Sequence, residues 1–408
     1  MPEFIASAYR AMRSRATDGE SKPAQGAAKV AIVLFSGQLG GEETFNASLA
    51  AELRRSGVRA TVVLIDGRGP LSQRLDVLGV PYAVYGAKRG REVVYRPRRF
   101  AKLVRECGPD AAILSWPGYL AGILRLGGYR GAVIAVEHGA QLVNDRSSWF
   151  RRIYKSLDWR MGLWATDQHV AVSKFACERL CRSPHKGTPV VIYNGVDTRH
   201  YRVPAQRDRR AREGTVVGVT SRLCAGKGID VLLQAMRLLR DTNANGPVHL
   251  LVAGGGPERQ VLERLAVSLE IEDDVSMVGW VEDLSAFWQQ CDIAAVPSDT
   301  WIETFGMAAV EPMACGLPVI ATRNGGLCEV VDDGVTGFLV APGAADALAA
   351  ALARYVSDRP LREAHGAAGR ARAESQLSIK AAADAYARLL DVTFARQPCR
   401  SGAEKLAE

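Results

Sequence analysis

The chain has 408 residues, 48% of them hydrophobic and 24% charged, with a formal net charge of +8. That length exceeds what one hydrophobic core holds and suits two domains of about 200 residues each. The composition excludes a disordered or fibrous protein, while the positive balance favours an anionic partner without deciding between a nucleotide, a nucleic acid and an acidic lipid.

Residues 1–28 mix Arg10, Arg13 and Arg15 with small polar residues and lack the continuous apolar core of a secretory signal. They read as a flexible segment of a cytoplasmic protein. Apolar strand-like runs then alternate with helical patterns. The first runs lie at 29–35 and 60–65, with a helix at about 44–55 between them, and further strands are expected at 82–85, 111–115, 132–137, 168–172 and 190–192. The apolar stretch 111–136 is broken by Pro117, Arg125, Gly127, Gly128 and Arg130, so it is not read as a membrane span. A charged segment at 203–214 interrupts the alternation, which resumes at 215–219, 248–253, 275–278, 293–296, 318–321 and 338–340.

Such alternation predicts an α/β chain with parallel strands covered by helices, in two doubly wound Rossmann-like domains facing a central cleft. The expected divisions are 29–203, 204–375, a C-terminal helix at 376–395 packing back on the first domain, and a tail at 396–408. Eight cysteines, at 107, 177, 181, 224, 291, 315, 328 and 399, include no Cys-x-x-Cys pair. Reduced thiols are therefore expected. The six histidines show no His-x-x-x-His spacing, and no metal site is expected.

In a doubly wound domain the ligand binds at the carboxyl ends of the strands, and the glycine-rich and charged residues fall there. Gly37, Gly40 and Gly41 follow the first strand without Gly-x-Gly-x-x-Gly spacing or a following Lys-Ser or Lys-Thr, so this is neither a dinucleotide fingerprint nor a Walker loop. Arg222 and Lys227 stand five residues apart in a glycine-containing turn after the first strand of the second half, where they read equally as a diphosphate clamp and as a solvated helix start. Gly254, Gly255 and Gly256 leave a bare loop open to a nucleobase. The most informative stretch is 301–320. There Glu303 precedes a small-residue helix at 306–314 and Glu311 lies about two turns along it, so two carboxylates and the amides of a helix start can reach one ligand. Taken alone, the pair reads first as two glutamates flanking an ordinary buried helix with solvated ends.

The ordered set Gly40-Gly41, Glu137-His138-Gly139, Asn194-Gly195-Val196-Asp197, Ser221-Arg222 to Lys227-Gly228, Gly254 to Pro257, Glu303-x-Phe305-Gly306, Glu311 to Val319 and Gly325-Gly326 resembles the retaining glycosyltransferases of family 4, also called group 1. The resemblance runs from residue 29 to about 390 and is more specific in the second half. It implies a GT-B architecture and metal-independent transfer of a sugar, from a UDP- or GDP-sugar, with retention at the anomeric carbon. The acceptor would be a saccharide or a lipid-linked glycan of cell-surface polysaccharide or lipopolysaccharide synthesis, with no cofactor beyond the donor. By the same resemblance Arg222 and Lys227 hold the diphosphate, Glu311 the ribose and Glu303 the donor sugar. Phe305, Gly306 and Met307 supply the helix start, Gly41 closes over the diphosphate, Gly255 and Gly256 lie at the donor, and His138 stands near the sugar and acceptor. Thr304, where the family often has glycine, and the inserted approach Trp301-Ile302 depart from the pattern and leave the donor open.

The stretch 146–164 combines Trp149, Tyr154, Trp159 and Trp164 with arginines at helical spacing. It reads either as a helix lying on the anionic inner face of a membrane or as a helix whose apolar residues pack on the sheet. No nucleic-acid-binding module is recognisable. A nucleotide-sugar epimerase or another enzyme of the same architecture, and a non-catalytic nucleotide-sugar-binding protein, are the competing readings.

Overall fold

The computed structural model describes residues 28–87, 92–115, 118–139, 160–182, 187–204, 214–242 and 246–395. The segment 1–27, the basic residues 88–91, most of the aromatic and arginine-rich stretch 146–164 and the tail 396–408 lie outside the described residues.

Every apolar run expected to form a strand does so, with ends shifted by a residue or two. The strands are β1 (Lys29–Leu34), β2 (Arg59–Leu64), β3 (Tyr82–Val84), β4 (Ala111–Leu114), β5 (Ala132–Glu137), β6 (Gln168–Ala171), β7 (Val190–Val191), β8 (Thr215–Thr220), β9 (Val248–Ala253), β10 (Val275–Gly279), β11 (Ile293–Val296), β12 (Val319–Thr322) and β13 (Gly337–Val340). They form two sheets, ordered β3-β2-β1-β4-β5-β6-β7 and β10-β9-β8-β11-β12-β13. All described pairings are parallel, for example Ile32 opposite Val62 and Ile113, and Ala294 opposite Val319. The cause is the continuous apolar text of the runs. Residues 30–34, 111–114 and 293–296 are buried throughout, which only a sheet covered on both faces by helices accommodates.

The chain divides into two compact units. The first is Met1–Val172 with Ala176–Ile192 and Ile379–Glu408, and the second is Ser173–Phe175 with Tyr193–Ser378. The first unit holds a core of Val33, Val63, Phe100, Leu114, Leu124 and Val133; the second has its own, around Val217, Leu232, Leu250, Ile320, Leu352 and Tyr355. The C-terminal helix Ile379–Ala395 belongs to the first unit. The second unit takes up the chain at Tyr193, ahead of the expected division at 203/204. Residues 196–201 are bonded into it: the Val196 N–H donates to the Leu377 carbonyl, Ser285 Oγ to the His200 carbonyl, and Arg370 Nη2 to the Thr198 carbonyl.

In each sheet the strand order reverses once, between β1 and β4 and between β8 and β11. At such a reversal the loops leave in opposite directions and open a crevice beyond the carboxyl ends of the strands. The glycine-rich and charged segments singled out from the sequence follow β1, β8 and β11.

Candidate functional site

In the second unit, the loop after β8 is shaped by two glycines. Gly226 and Gly228 have φ of +85° and +69°, and a Cβ at Gly228 would strike the Pro297 carbonyl oxygen. This close approach locks the loop against the one that follows β11. The Gly226 carbonyl accepts from the Asp299 N–H at 2.8 Å and the Trp301 N–H at 3.1 Å. From behind, Asn324 Nδ2 donates to the carbonyls of Ser298, Asp299 and Trp301 at 3.2, 2.8 and 3.0 Å, and Thr322 Oγ1 donates to the Ser298 carbonyl. The Gly325-Gly326 turn completes the support, its Gly326 N–H donating to the Glu303 carbonyl at 2.7 Å.

The two locked loops bring Lys227 and Glu303 together. Lys227 Nζ lies 2.6 Å from Glu303 Oε1, and the Ser298 hydroxyl donates to the same oxygen at 2.7 Å. The Lys227 ammonium also sits 4.8 Å from the centroid of the Trp301 ring, a cation–π distance. The two charged side chains are only 15% and 17% exposed. Three residues beyond Glu303, Gly306 caps the helix α1 (Met307–Ala314) in the left-handed region, at φ 101°, with no side chain capping the first turn. A Cβ at Gly306 would press on Leu327. The uncapped amides of that turn are an anion-receptive end. Phe305 is buried and packs its ring 5.8 Å from that of Tyr193. Glu311 is 7% exposed on the second turn of α1.

Arg222, expected to pair with Lys227, is exposed, and its guanidinium makes no ion pair with a described residue. The Gly254–Gly256 loop lies alongside: the Leu223 N–H donates to the Gly255 carbonyl, and Gly256 is tight against the Leu223 carbonyl, while nothing stands within 4 Å of a Cβ at Gly255. The second unit thus carries Arg222, Lys227, Gly255, Gly256, Glu303, Phe305 and Gly306 on its own loops, and Met307 and Glu311 on α1. Gly41 and His138 belong to the first unit.

Gly41 is the first residue of a helix there (Gly41–Arg55), whose cap Gly40 is extended and accepts from the Thr44 N–H at 2.9 Å. His138 follows β5 and sets its ring edge-on to Phe45 at 6.3 Å between centroids. Its Nε2 is shut off from solvent without a hydrogen-bond partner, and burial lowers its pKa to about 4. The imidazole is therefore neutral at physiological pH. Burial raises its neighbour Glu137 to about 7 against the pull of the Gly139 N–H bond.

Sequence reasoning missed three residues that build the second-unit site. Ser298 gave no signal. Trp301 was visible only as a departure from a pattern. Asn324, beside Gly325-Gly326, carries the text of a turn and not of a three-way amide clamp. Among the described residues, no cluster of three or more His, Cys, Asp or Glu side chains is placed to hold a metal ion, and no helix is long and apolar enough to cross a membrane.

Two doubly wound parallel sheets, one with a lysine, a carboxylate and an open helix start at its strand-order reversal, define the class of two-domain GT-B proteins. Two family profiles match in series: Glycosyltransferase Family 4 over residues 39–200 and Glycosyl transferases group 1 over residues 205–372. The chain belongs to this family of glycosyltransferases. It is similar to the lipopolysaccharide core biosynthesis glycosyltransferase LpsE of Rhizobium meliloti, at 28% identity over 87% of this chain and 96% of that protein. The GDP-mannose-dependent alpha-(1-6)-phosphatidylinositol monomannoside mannosyltransferase of Mycolicibacterium smegmatis is 34% identical over 43% of this chain and 49% of its own. The chain spans about half the length of the first curated relatives it matches. Among solved structures, Anabaena Alr3699/HepE in complex with UDP and glucose superposes with a TM-score of 0.75, covering 89% of this chain and 99% of that one at 22% identity, a likeness of fold.

Proposed function

We propose that the chain moves a hexose from a nucleotide-sugar donor to a hydroxyl of a saccharide or lipid-linked acceptor, with net retention and without a metal ion. The observation that carries this reading is the Lys227–Glu303 pair, held by Ser298 and Trp301 three residues upstream of the open N-terminus of α1. A diphosphate draws the ammonium away from Glu303, which then accepts hydrogen bonds from the sugar hydroxyls. The charge that develops on the leaving phosphate falls on Lys227, Arg222 and the first-turn amides of α1, of which the amides are fixed in the helix and need no reorganisation to receive it. Glu311, buried two turns along, takes the ribose hydroxyls. No carboxylate is assigned as a covalent nucleophile; the acceptor hydroxyl attacks the anomeric carbon on the face the diphosphate leaves, the bond to the diphosphate breaks, and the hydroxyl proton passes to the leaving phosphate oxygen.

The complexes of Alr3699/HepE with UDP and UDP-glucose and the GDP-mannose dependence of the mycobacterial relative support the donor class and leave the base between uracil and guanine. The match to LpsE supports an acceptor of the lipopolysaccharide type. Contact with an anionic membrane surface is part of the same reading, and Trp164, 62% exposed, is the described residue that supports it.

The test is a thermal-shift series with UDP-, GDP-, ADP- and TDP-sugars in EDTA. A ligand at about 100 times its dissociation constant adds roughly 2.7 kcal/mol to stability. A shift confined to one base, followed by a product of unchanged anomeric configuration, establishes the reading. No shift with any donor, or transfer abolished by EDTA and restored by a divalent metal, rejects it.

A further inference from the structure

The second unit is made of Ser173–Phe175 and Tyr193–Ser378, and one of its carboxylates ties together the three points at which those segments begin to fold. Glu329 stands on the short helix Leu327–Val330, three residues past Gly326. Its Oε2 accepts from the Lys174 N–H at 2.8 Å and from the Tyr193 hydroxyl at 3.0 Å, and its Oε1 accepts from the Phe175 N–H at 2.7 Å. The two amides open the helix Lys174–Cys181, so the carboxylate satisfies donors that have no partner within that helix. Arg372 Nη2 donates to the Glu329 carbonyl at 2.8 Å and fixes its backbone from behind.

Both segments held in this way touch the loop that carries Glu303. The Ser173 hydroxyl donates to the Thr304 carbonyl at 2.6 Å, and the Tyr193 ring lies 5.8 Å from the ring of Phe305. Ser173, Thr304 and Phe305 are buried, so no solvent replaces these contacts. Thr304 and Phe305 are the two residues after Glu303, whose own carbonyl accepts from the Gly326 N–H. The backbone beneath the Glu303 side chain is therefore set by contacts that converge on the segment Gly326–Glu329. This hold matters most when a donor is bound. Lys227 then turns to the diphosphate, and Glu303 keeps only the Ser298 bond and its own backbone to aim it.

We propose that Glu329 is a positioning residue for the transfer: by tying Lys174, Phe175 and Tyr193 it fixes Glu303–Phe305, so that the Glu303 carboxylate stays aimed at the donor sugar once Lys227 has left it. This role rests on the transfer reading given above and belongs to a side chain outside the groups that touch the donor. Tyr193 keeps its proton as the donor of the tie, its pKa pushed up to about 12 by burial and by the bond to Glu329. Removing the carboxylate leaves two amides and a hydroxyl without their acceptor, and a shift of about 1 Å in a group facing the reacting centre costs on the order of a hundredfold in rate.

The experiment measures steady-state transfer and calorimetric binding of UDP and GDP on the full chain, in the wild-type and E303Q backgrounds. E329A lowers kcat about tenfold or more and leaves the nucleotide dissociation constant within about twofold, since Lys227 and Glu311 are held by other contacts. In the E303Q background the same substitution changes kcat by less than about twofold, because it acts through the side chain already replaced. A general loss of structure would lower both backgrounds alike. Y193F keeps the ring against Phe305 and removes only the bond to Glu329; it lowers kcat about threefold, again only where Glu303 is intact. It carries the test if E329A does not fold. The role is overturned if the variants turn over as the wild type does, if the loss is the same factor in the E303Q background, or if it appears in nucleotide binding with kcat unchanged. A wild type that neither binds a nucleotide nor transfers a sugar rejects the transfer reading, and this role with it.

Discussion

Lys227 and Glu303 lie 76 positions apart in the chain and 2.6 Å apart in the fold, on loops that follow β8 and β11. Each is mostly buried, so each depends on the other for its charge to be tolerated. The pair is at once a structural tie and the part of the site a diphosphate must open.

K227M and E303Q should each lower turnover by about a hundredfold or more, since losing one preorganised partner of the developing charge costs on the order of 2.7–4 kcal/mol. The double variant should lose much less than the product of the two, because the groups act as a unit. Initial rates with the donor found by thermal shift check this, and additive losses would separate the residues.

Asn324 is the clamp of the second loop, with its amide turned to three carbonyls. N324D sets a carboxylate against those oxygens and should destabilise by about 2–4 kcal/mol, whereas N324A loses the bonds without repulsion and should cost about 1–3 kcal/mol. Urea unfolding of both variants gives the order, and the reverse order would remove the clamp.

At Gly228, φ +69° and the Pro297 carbonyl leave no room for a methyl group. G228A should destabilise by at least about 1–2 kcal/mol from the backbone alone and weaken nucleotide binding. G255A, at a position with nothing within 4 Å of the new carbon, should be close to neutral in stability. Comparing the two melting curves checks the lock between the loops.

The pH dependence of stability follows from the first unit. Glu137 is raised from 4.5 to about 7, so the folded state keeps a proton that the unfolded state has lost. Its contribution therefore falls as pH rises between those values and stays lost above them. His138 is lowered from 6.5 to about 4, and its contribution rises across that window. The two partly cancel below about pH 6.5. E137Q removes the falling part and should raise stability by about 1–3 kcal/mol at pH 8, with little gain at about pH 4.5. Denaturant curves across that range test the sign.

E311A should weaken binding of the nucleoside diphosphate itself, about tenfold or more for a lost charged hydrogen bond. Calorimetric titration with UDP and GDP measures it, and unchanged affinity would take the ribose role from Glu311.

The sequence by itself determined the thirteen strands of the described residues, their parallel pairing and the presence of two doubly wound units. Continuous apolar runs of four to six residues are stable only when both faces of a sheet are covered, so periodicity and glycine punctuation carry that information locally. The Glu303-x-Phe305-Gly306 and Glu311 segment was legible for the same reason, since it lies on one loop and one helix. Only the tertiary structure decided which charges meet. The Lys227–Glu303 contact, the Ser298 bond and the Trp301 ring beneath the ammonium depend on how two loops dock, and that docking is set by Gly226, Gly228 and Asn324 against backbone carbonyls. Arg222, equal to Lys227 in the sequence, is turned to solvent. The burial that lifts Glu42 and Glu137 and holds His138 neutral comes likewise from packing between distant strands and a helix, a property no local pattern of residues encodes.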